Sequence, residues 1–184
     1  MISLTTPLTV EKIKTLRAGD EVLLSGTIYT GRDAAHKRLL ELHQQGKELP
    51  ISLEDQTIFY VGPTPSKPGQ IFGSGGPTTS GRMDAYSPTF IGLGMRAMIG
   101  KGYRNQEVKE AIVKHGGVYF GAIGGAGATI SSCVVGCEIV AFEDLGPEAI
   151  RKLEIKDMPL VVIIDSIGND QYKMGRENYL TTYK

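Results

Sequence analysis

Hydrophobic positions recur along this chain with two periods, and the switches between them outline its elements. Thr9 suits a helix N-cap, and Val10, Ile13 and Leu16 follow it at helical spacing. Glu21–Tyr29 (EVLLSGTIY) then has the character of a strand. Asp33–Gln45 returns to the helical period, with Ala35, Leu39 and Leu42 on one face and Gly46 placed to end the helix. Thr57–Val61 (TIFYV) is a strand that runs into the proline-rich stretch Pro63–Pro68. Ser87 opens a helix reaching Met95, with Pro88 in its first turn. Asn105–His115 is a helix whose apolar face is Val108, Ala111 and Ile112. Val118–Ala122 and Glu138–Phe142 are short strands. Between them a glycine cluster, Gly121 to Gly127, leads into a helix-like run to Val135. Pro147–Leu153 has a helical pattern, and Leu160–Asp165 (LVVIID) is the apolar run of a buried strand.

Strands alternating with helices predict the α/β class in a single compact domain. The domain is expected over 1–174, and Gly175–Lys184 looks like a polar arm. A length of 184 residues suits one domain with a sizeable core. Lys plus Arg and Asp plus Glu are both 20, so no surplus of positive charge points to nucleic acid or a polybasic membrane patch. No apolar run has the length of a membrane span, and Met1–Pro7 lacks the features of a signal peptide, so a cytoplasmic location is expected.

Candidate chemistry concentrates in Gly73–Asp84 (GSGGPTTSGRMD). Glycines let main-chain N–H groups approach a ligand, hydroxyls add donors, and Arg82 adds a charged fork that matches a carboxylate or phosphate. The segment is either an anion-binding loop or an ordinary glycine-rich turn. Two further cations stand in glycine-framed turns. Arg32 follows Gly31 at a strand exit, where α/β folds place ligand sites, and Lys101 lies between Gly100 and Gly102. Together these three cations suit a dianion. Asp33 and His36 follow Arg32, and His36 is either a structural histidine or a base. Cys133 and Cys137 are four apart, which would put both thiols on one helical face; two thiols are too few for a cubane iron–sulfur cluster. They are most simply two small buried hydrophobes.

The run GSGGPTTSGRMD (73–84), with LLSGTIYTGRDAAHKRL (23–39) before it and AMIGKG (97–102) after it, resembles the C-terminal half of class I iron–sulfur fumarases. In split forms of that family this half is a β subunit, and the β subunit of L(+)-tartrate dehydratase is similar. The segments GGAGATISSCVVGCEIVAFEDLGPEAIRKLEIKDMP and VVIIDSIGND also fit, so the resemblance extends from Asp20 to Tyr172. It implies a swivelling β/β/α domain and a 4Fe–4S cluster held by the partner α subunit, with no metal ligand on this chain. It implies a dicarboxylate substrate between the two halves, in an α2β2 assembly or, for this chain alone, a homodimer. Carried over by motif position, Arg32, Arg82 and Lys101 bind substrate carboxylates and Thr78 is the reacting hydroxyl. Thr79 and Gly76 join the substrate site, with Asp33, His36 and Asp84 behind it. Thr78 is then either a proton acceptor or a substrate positioner, and its register against Thr79 is open. The activity implied is hydration of fumarate to L-malate, with L(+)-tartrate or a related dicarboxylate as the alternative; a stand-alone anion-binding module is the other reading.

Overall fold

In the computed structural model, residues 1–122 and 127–182 are described. Seven strands alternate with six helices among them. The strands are β1 (Ile2–Thr5), β2 (Glu21–Thr30), β3 (Thr57–Phe59), β4 (Ala97–Gly100), β5 (Val118–Ala122), β6 (Val134–Ala141) and β7 (Ile150–Ile164). The helices are α1 (Val10–Lys14), α2 (Asp33–Gln44), α3 (Ser87–Gly92), α4 (Gln106–His115), α5 (Gly127–Ser132) and α6 (Gln171–Thr182). This is an α/β domain.

One edge of β2 is divided between two parallel partners, β1 beside Val22–Ser25 and β3 beside Tyr29 and Thr30. The parallel order continues through β4 and β5. The long strand β7 then pairs antiparallel with both β5 and β2, which closes β2–β3–β4–β5–β7 into a ring. Strand side chains alternate across the ring wall, as a period of two requires. Val22, Leu24, Ile28, Phe59, Ala97, Ile99, Val118, Phe120, Leu153, Leu160 and Val162 pack in the inner cluster. Ile58, Met98, Tyr119 and Ile164 join an outer cluster with Ala35 and Leu39 of α2, Phe90 and Ile91 of α3, and Val108 and Ile112 of α4.

Local chemistry explains several boundaries. Asn105 caps α4 by accepting the Val108 N–H at 2.9 Å, and Gly116 ends that helix in the left-handed conformation. Gly26 in β2 has φ 107, and a side chain there would collide with Thr6 Oγ1. The register against β7 shifts at the same place.

The sequence pattern misplaces several elements. Pro147–Leu153 is not helical: Pro147 lies in a 3₁₀ turn over Glu143–Glu148, and β7 begins at Ile150. Pairing with β2 on one side and β6 on the other decides this segment over local propensity. The helix-like run to Val135 stops at Ser132, and β6 starts at Val134. Cys133 therefore lies in the turn between α5 and β6 and Cys137 within β6, not on one helical face. Nor are they buried: Cys133 is half-buried and Cys137 exposed. The expected arm over Gly175–Lys184 falls largely in α6, which begins at Gln171 and is exposed from Lys173 to Thr181. Much of the glycine cluster Gly121–Gly127 lies outside the described residues.

Candidate functional site

Because β2, β3, β4 and β5 run parallel, their C-terminal ends share one edge of the sheet, the place where open α/β sheets bind ligands. Arg32 follows β2, Gly62 follows β3 and Lys101 follows β4. The loop carrying Thr78 is inserted into this edge. Its Thr78 N–H donates to the Tyr60 carbonyl at 2.6 Å, and its Ser80 N–H donates to the Lys101 carbonyl at 2.9 Å. Thr79 and Lys101 form a parallel bridge. The loop thus continues the sheet for a few residues beyond the ends of β3 and β4.

Conformational freedom is the usual reason for glycines in such a loop, yet none of Gly73, Gly75, Gly76 and Gly81 has positive φ. Close approach explains two of them instead. A side chain at Gly73 would collide with the Thr64 carbonyl oxygen, and one at Gly75 would meet Val61 Cγ2 at 2.8 Å and Phe72 Cε1 at 2.9 Å. Gly76 is exposed with open space around its Cα.

The two arginines meet through Asp33. Arg82 donates from Nε and Nη2 to the two Asp33 oxygens, at 2.9 and 2.5 Å. Asp33 Oδ2 also lies 3.8 Å from Arg32 Nε. Arg32 Nε donates to Glu148 Oε1 at 3.3 Å, and the same oxygen accepts the Ala34 N–H at 3.1 Å. The absent side chain of Gly62 leaves the space that the Arg32 guanidinium fills: a Cβ there would lie 2.8 Å from Nη1. Arg82 is half-exposed, at 53%, so this pair faces water. Lys101 is exposed, and its ammonium has no hydrogen bond or ion pair among the described residues.

The two threonines differ. Thr78 is 8% exposed, and its hydroxyl has no hydrogen-bond partner among the described residues; Thr79 is exposed. His36 is buried in α2 with its ring against Tyr60, Tyr86 and Phe90. Burial pushes its pKa down to about 4. The ring is therefore neutral at pH 7. Its Nδ1 donates to the Arg32 carbonyl at 3.0 Å, and its Nε2 has no partner among the described residues. Asp84 points away from the open edge, accepting from Arg104 Nε at 2.6 Å and from the Asn105 N–H at 2.7 Å.

Over residues 1–175 the chain matches the family described as Fumarase C-terminus. The chain belongs to that family. It is 45% identical over 152 residues to the anaerobic class I fumarate hydratase of Escherichia coli (strain K12), covering 82% of this chain and 28% of that protein. The aerobic class I enzyme of the same strain is 42% identical over 152 residues, with the same coverage. A protein of Methanocaldococcus jannaschii named putative L(+)-tartrate dehydratase subunit beta is 38% identical over 172 residues, covering 90% of this chain and 88% of that one. The chain thus spans 28% of the length of these class I fumarate hydratases and most of the tartrate dehydratase β subunit.

The residues of this Fumarase C-terminus domain do not suit a 4Fe–4S cluster. Clusters are held by several thiolates, and the chain has two cysteines. The Cys133 thiol donates to the Thr129 carbonyl at 3.3 Å, and partial desolvation pushes both thiols' pKa values up, away from the thiolate form. Among the described residues no three His, Cys, Asp or Glu side chains gather as a metal site. No helix among them is long and apolar enough to cross a membrane.

A buried layer under the loop has no counterpart in the sequence pattern. Arg104 is buried, with Nη2 donating to Ser87 Oγ at 2.7 Å and its guanidinium carbon 5.4 and 5.0 Å from the ring centres of Tyr60 and Tyr119. The Tyr119 hydroxyl donates to the Gly102 carbonyl at 3.0 Å and lies 2.9 Å from Ser80 Oγ, whose own proton it accepts. No local signal marks Arg104, which stands between an exposed tyrosine and a helix cap, where arginines are usually solvated.

Proposed function

We propose that this chain is the β subunit of a two-subunit iron–sulfur hydro-lyase that interconverts fumarate and L-malate. The observation that carries this reading is the gathering of Arg32, Arg82, Lys101 and Thr78 on one open edge. A dianion needs several fixed cations, and an edge this exposed needs a second wall to exclude water. The cluster-binding α subunit is that wall, in an α2β2 cytoplasmic enzyme in which this chain is the swivelling β/β/α half. The 4Fe–4S cluster bound by the α subunit supplies Lewis acidity for loss of hydroxide.

The residues of this chain then have separable tasks. Arg82 and Arg32 clamp one end of the dicarboxylate, and Lys101 takes the other. Removing the proton next to a carboxylate builds negative charge on that carboxylate, and cations already in place stabilise it without reorganisation. Thr78 stands beside Lys101 through the neighbouring bridge, with its hydroxyl free of other side chains among the described residues. It receives that proton or hands it on, which requires activation by a cation because an unperturbed hydroxyl is a weak base. Thr79, outward on the same loop, and the open Gly76 backbone complete the substrate surface.

Co-expression with a cluster-binding α subunit, followed by assays with fumarate, L-malate and L(+)-tartrate, tests the reading. Turnover of fumarate and malate is expected only from the complex. Turnover of tartrate alone would move the assignment to tartrate dehydratase. Tight binding of a dicarboxylate by the chain with no turnover in any complex would leave an anion-binding module.

A further inference from the structure

We infer that Arg104 is a positioning residue for the site, acting through two arms: Tyr60 to Thr78, and Tyr119 with Ser80 to Lys101. This rests on the site reading above, but its geometric half stands on the fold alone. The Arg104 side chain is fully buried, beneath a surface whose other arginines face water. It ties together five segments. Nε donates to Asp84 at the end of the loop, Nη2 to Ser87 at the start of α3, and Nη1 contacts Met98 Sδ of β4 at 3.4 Å. Its charge lies over Tyr60, just beyond β3, and over Tyr119 of β5.

The first arm runs to Thr78. Ser87 Oγ donates to the Met83 carbonyl at 2.9 Å, so the Tyr60 hydroxyl 3.1 Å away is a donor to it. The carbonyl of the same Tyr60 accepts the Thr78 N–H. Arg104 therefore fixes, through Ser87 and the tyrosine ring, the residue on which Thr78 hangs. The second arm runs to Lys101. Ser80 Oγ, hydrogen-bonded to the Tyr119 hydroxyl, accepts the Lys101 N–H at 3.0 Å. A side chain at Gly100 would collide with Ser80 Oγ, so the glycine leaves the space that this hydroxyl fills. A buried ion pair used only for stability is replaceable by neutral groups of similar shape at little cost. An ion pair used to aim two backbone positions is not.

The closing experiment separates these cases with two readouts on two variants. One variant is the double substitution Arg104→Met with Asp84→Asn, which leaves no unpaired buried charge. The other is Tyr119→Phe, which removes only one hydroxyl. The first readout, amide hydrogen exchange in the full chain, needs no partner or substrate. Both Thr78 and Lys101 amides are expected to exchange about tenfold faster in the double variant, and the Lys101 amide alone in Tyr119→Phe, with Phe120 unchanged. The second readout is kinetics of the assembled enzyme. Tyr119→Phe is expected to raise KM by about tenfold with kcat little changed, because its arm reaches a carboxylate-binding cation. The double variant is expected to lower kcat as well. Unchanged Thr78 and Lys101 exchange in a folded double variant overturns the inference, as does a Tyr119→Phe enzyme with wild-type KM. An inactive wild-type complex would sink the hydro-lyase reading instead, and the amide result alone would then decide the role of Arg104.

Discussion

Two arginine–aspartate pairs sit a few residues apart in this fold and behave as opposites. Arg82 and Asp33 meet on the open edge, with side chains 53% and 35% exposed. Arg104 and Asp84 meet beneath it, at 0% and 10%. An exposed pair is worth roughly 0–1 kcal/mol and exchanges partners readily. A buried pair is costly to break from one side, because the remaining charge loses both its partner and water. The same chemistry thus gives an exposed outer pair, which under the proposed function trades Asp33 for a substrate carboxylate, and a buried inner pair.

Breaking the inner pair from one side has the largest expected effect. Asp84→Ala should cost roughly 3–5 kcal/mol in urea unfolding, because Arg104 is left buried and unpaired. Asp33→Ala should cost about 1 kcal/mol or less by the same measurement. Equal losses would erase the distinction between the layers.

His36 touches both layers, packing on Tyr60 while holding the Arg32 carbonyl. Its folded pKa, pushed down to about 4 by burial, lies below the ordinary 6.5. The unfolded chain therefore takes up a proton first as pH falls. The contribution of His36 is fully present above pH 6.5 and is lost between 6.5 and about 4, by at most about 3 kcal/mol. Unfolding free energies measured across this range should flatten in His36→Phe. An unchanged slope would show that other groups carry the acid sensitivity.

Changes in the outer layer should read out in turnover, not in unfolding. Arg82→Lys in the assembled enzyme should lose about 3 kcal/mol in kcat/KM, since a point charge does not replace the fork. Unfolding should stay within about 0.5 kcal/mol of wild type, as for a surface substitution. Thr78→Val should lower kcat by about 100-fold with little change in KM if its hydroxyl takes the proton. Loss of turnover in Thr79→Val with Thr78→Val intact would shift the assignment by one residue.

The outer layer is legible in the sequence and the inner one is not, for a physical reason. Arg32, Arg82 and Lys101 sit in glycine-framed turns, and such turns are local features. The glycines draw attention to the loop, but positive φ is not their cause, since Gly73 and Gly75 are set by close packing. Arg104 is defined by partners distant in the chain, Asp84 at 20 residues and Tyr60 farther still, and no local pattern distinguishes it from a solvated arginine. The strands show the same division. The bounds of Val118–Ala122 agree between sequence and structure, because its apolar run is bounded by glycine. The short β4, only Ala97–Gly100, leaves no periodic signal of its own, and the opening residues of β7, Ile150–Leu153, have a helical pattern that two-sided pairing overrides.

The smallest effect sharpens the comparison most, because its sign differs from every other substitution. Asp33 occupies both forks of Arg82 that face it, at 2.9 and 2.5 Å. Under the proposed function, a substrate carboxylate reaching Arg82 must compete with that aspartate. Asp33→Asn keeps the shape and removes the charge, so the competitor weakens while the cation remains. KM for the dicarboxylate should fall about threefold, within the worth of one exposed ion pair, and the gain should shrink at high salt. kcat should hold or fall slightly, because tighter ground-state binding does not by itself stabilise the transition state. A rise in KM would mean that Asp33 aims Arg82 toward substrate and does not stand in its place. The outer pair would then be held as firmly as the inner one, and the division between an exchangeable and a fixed layer would fail.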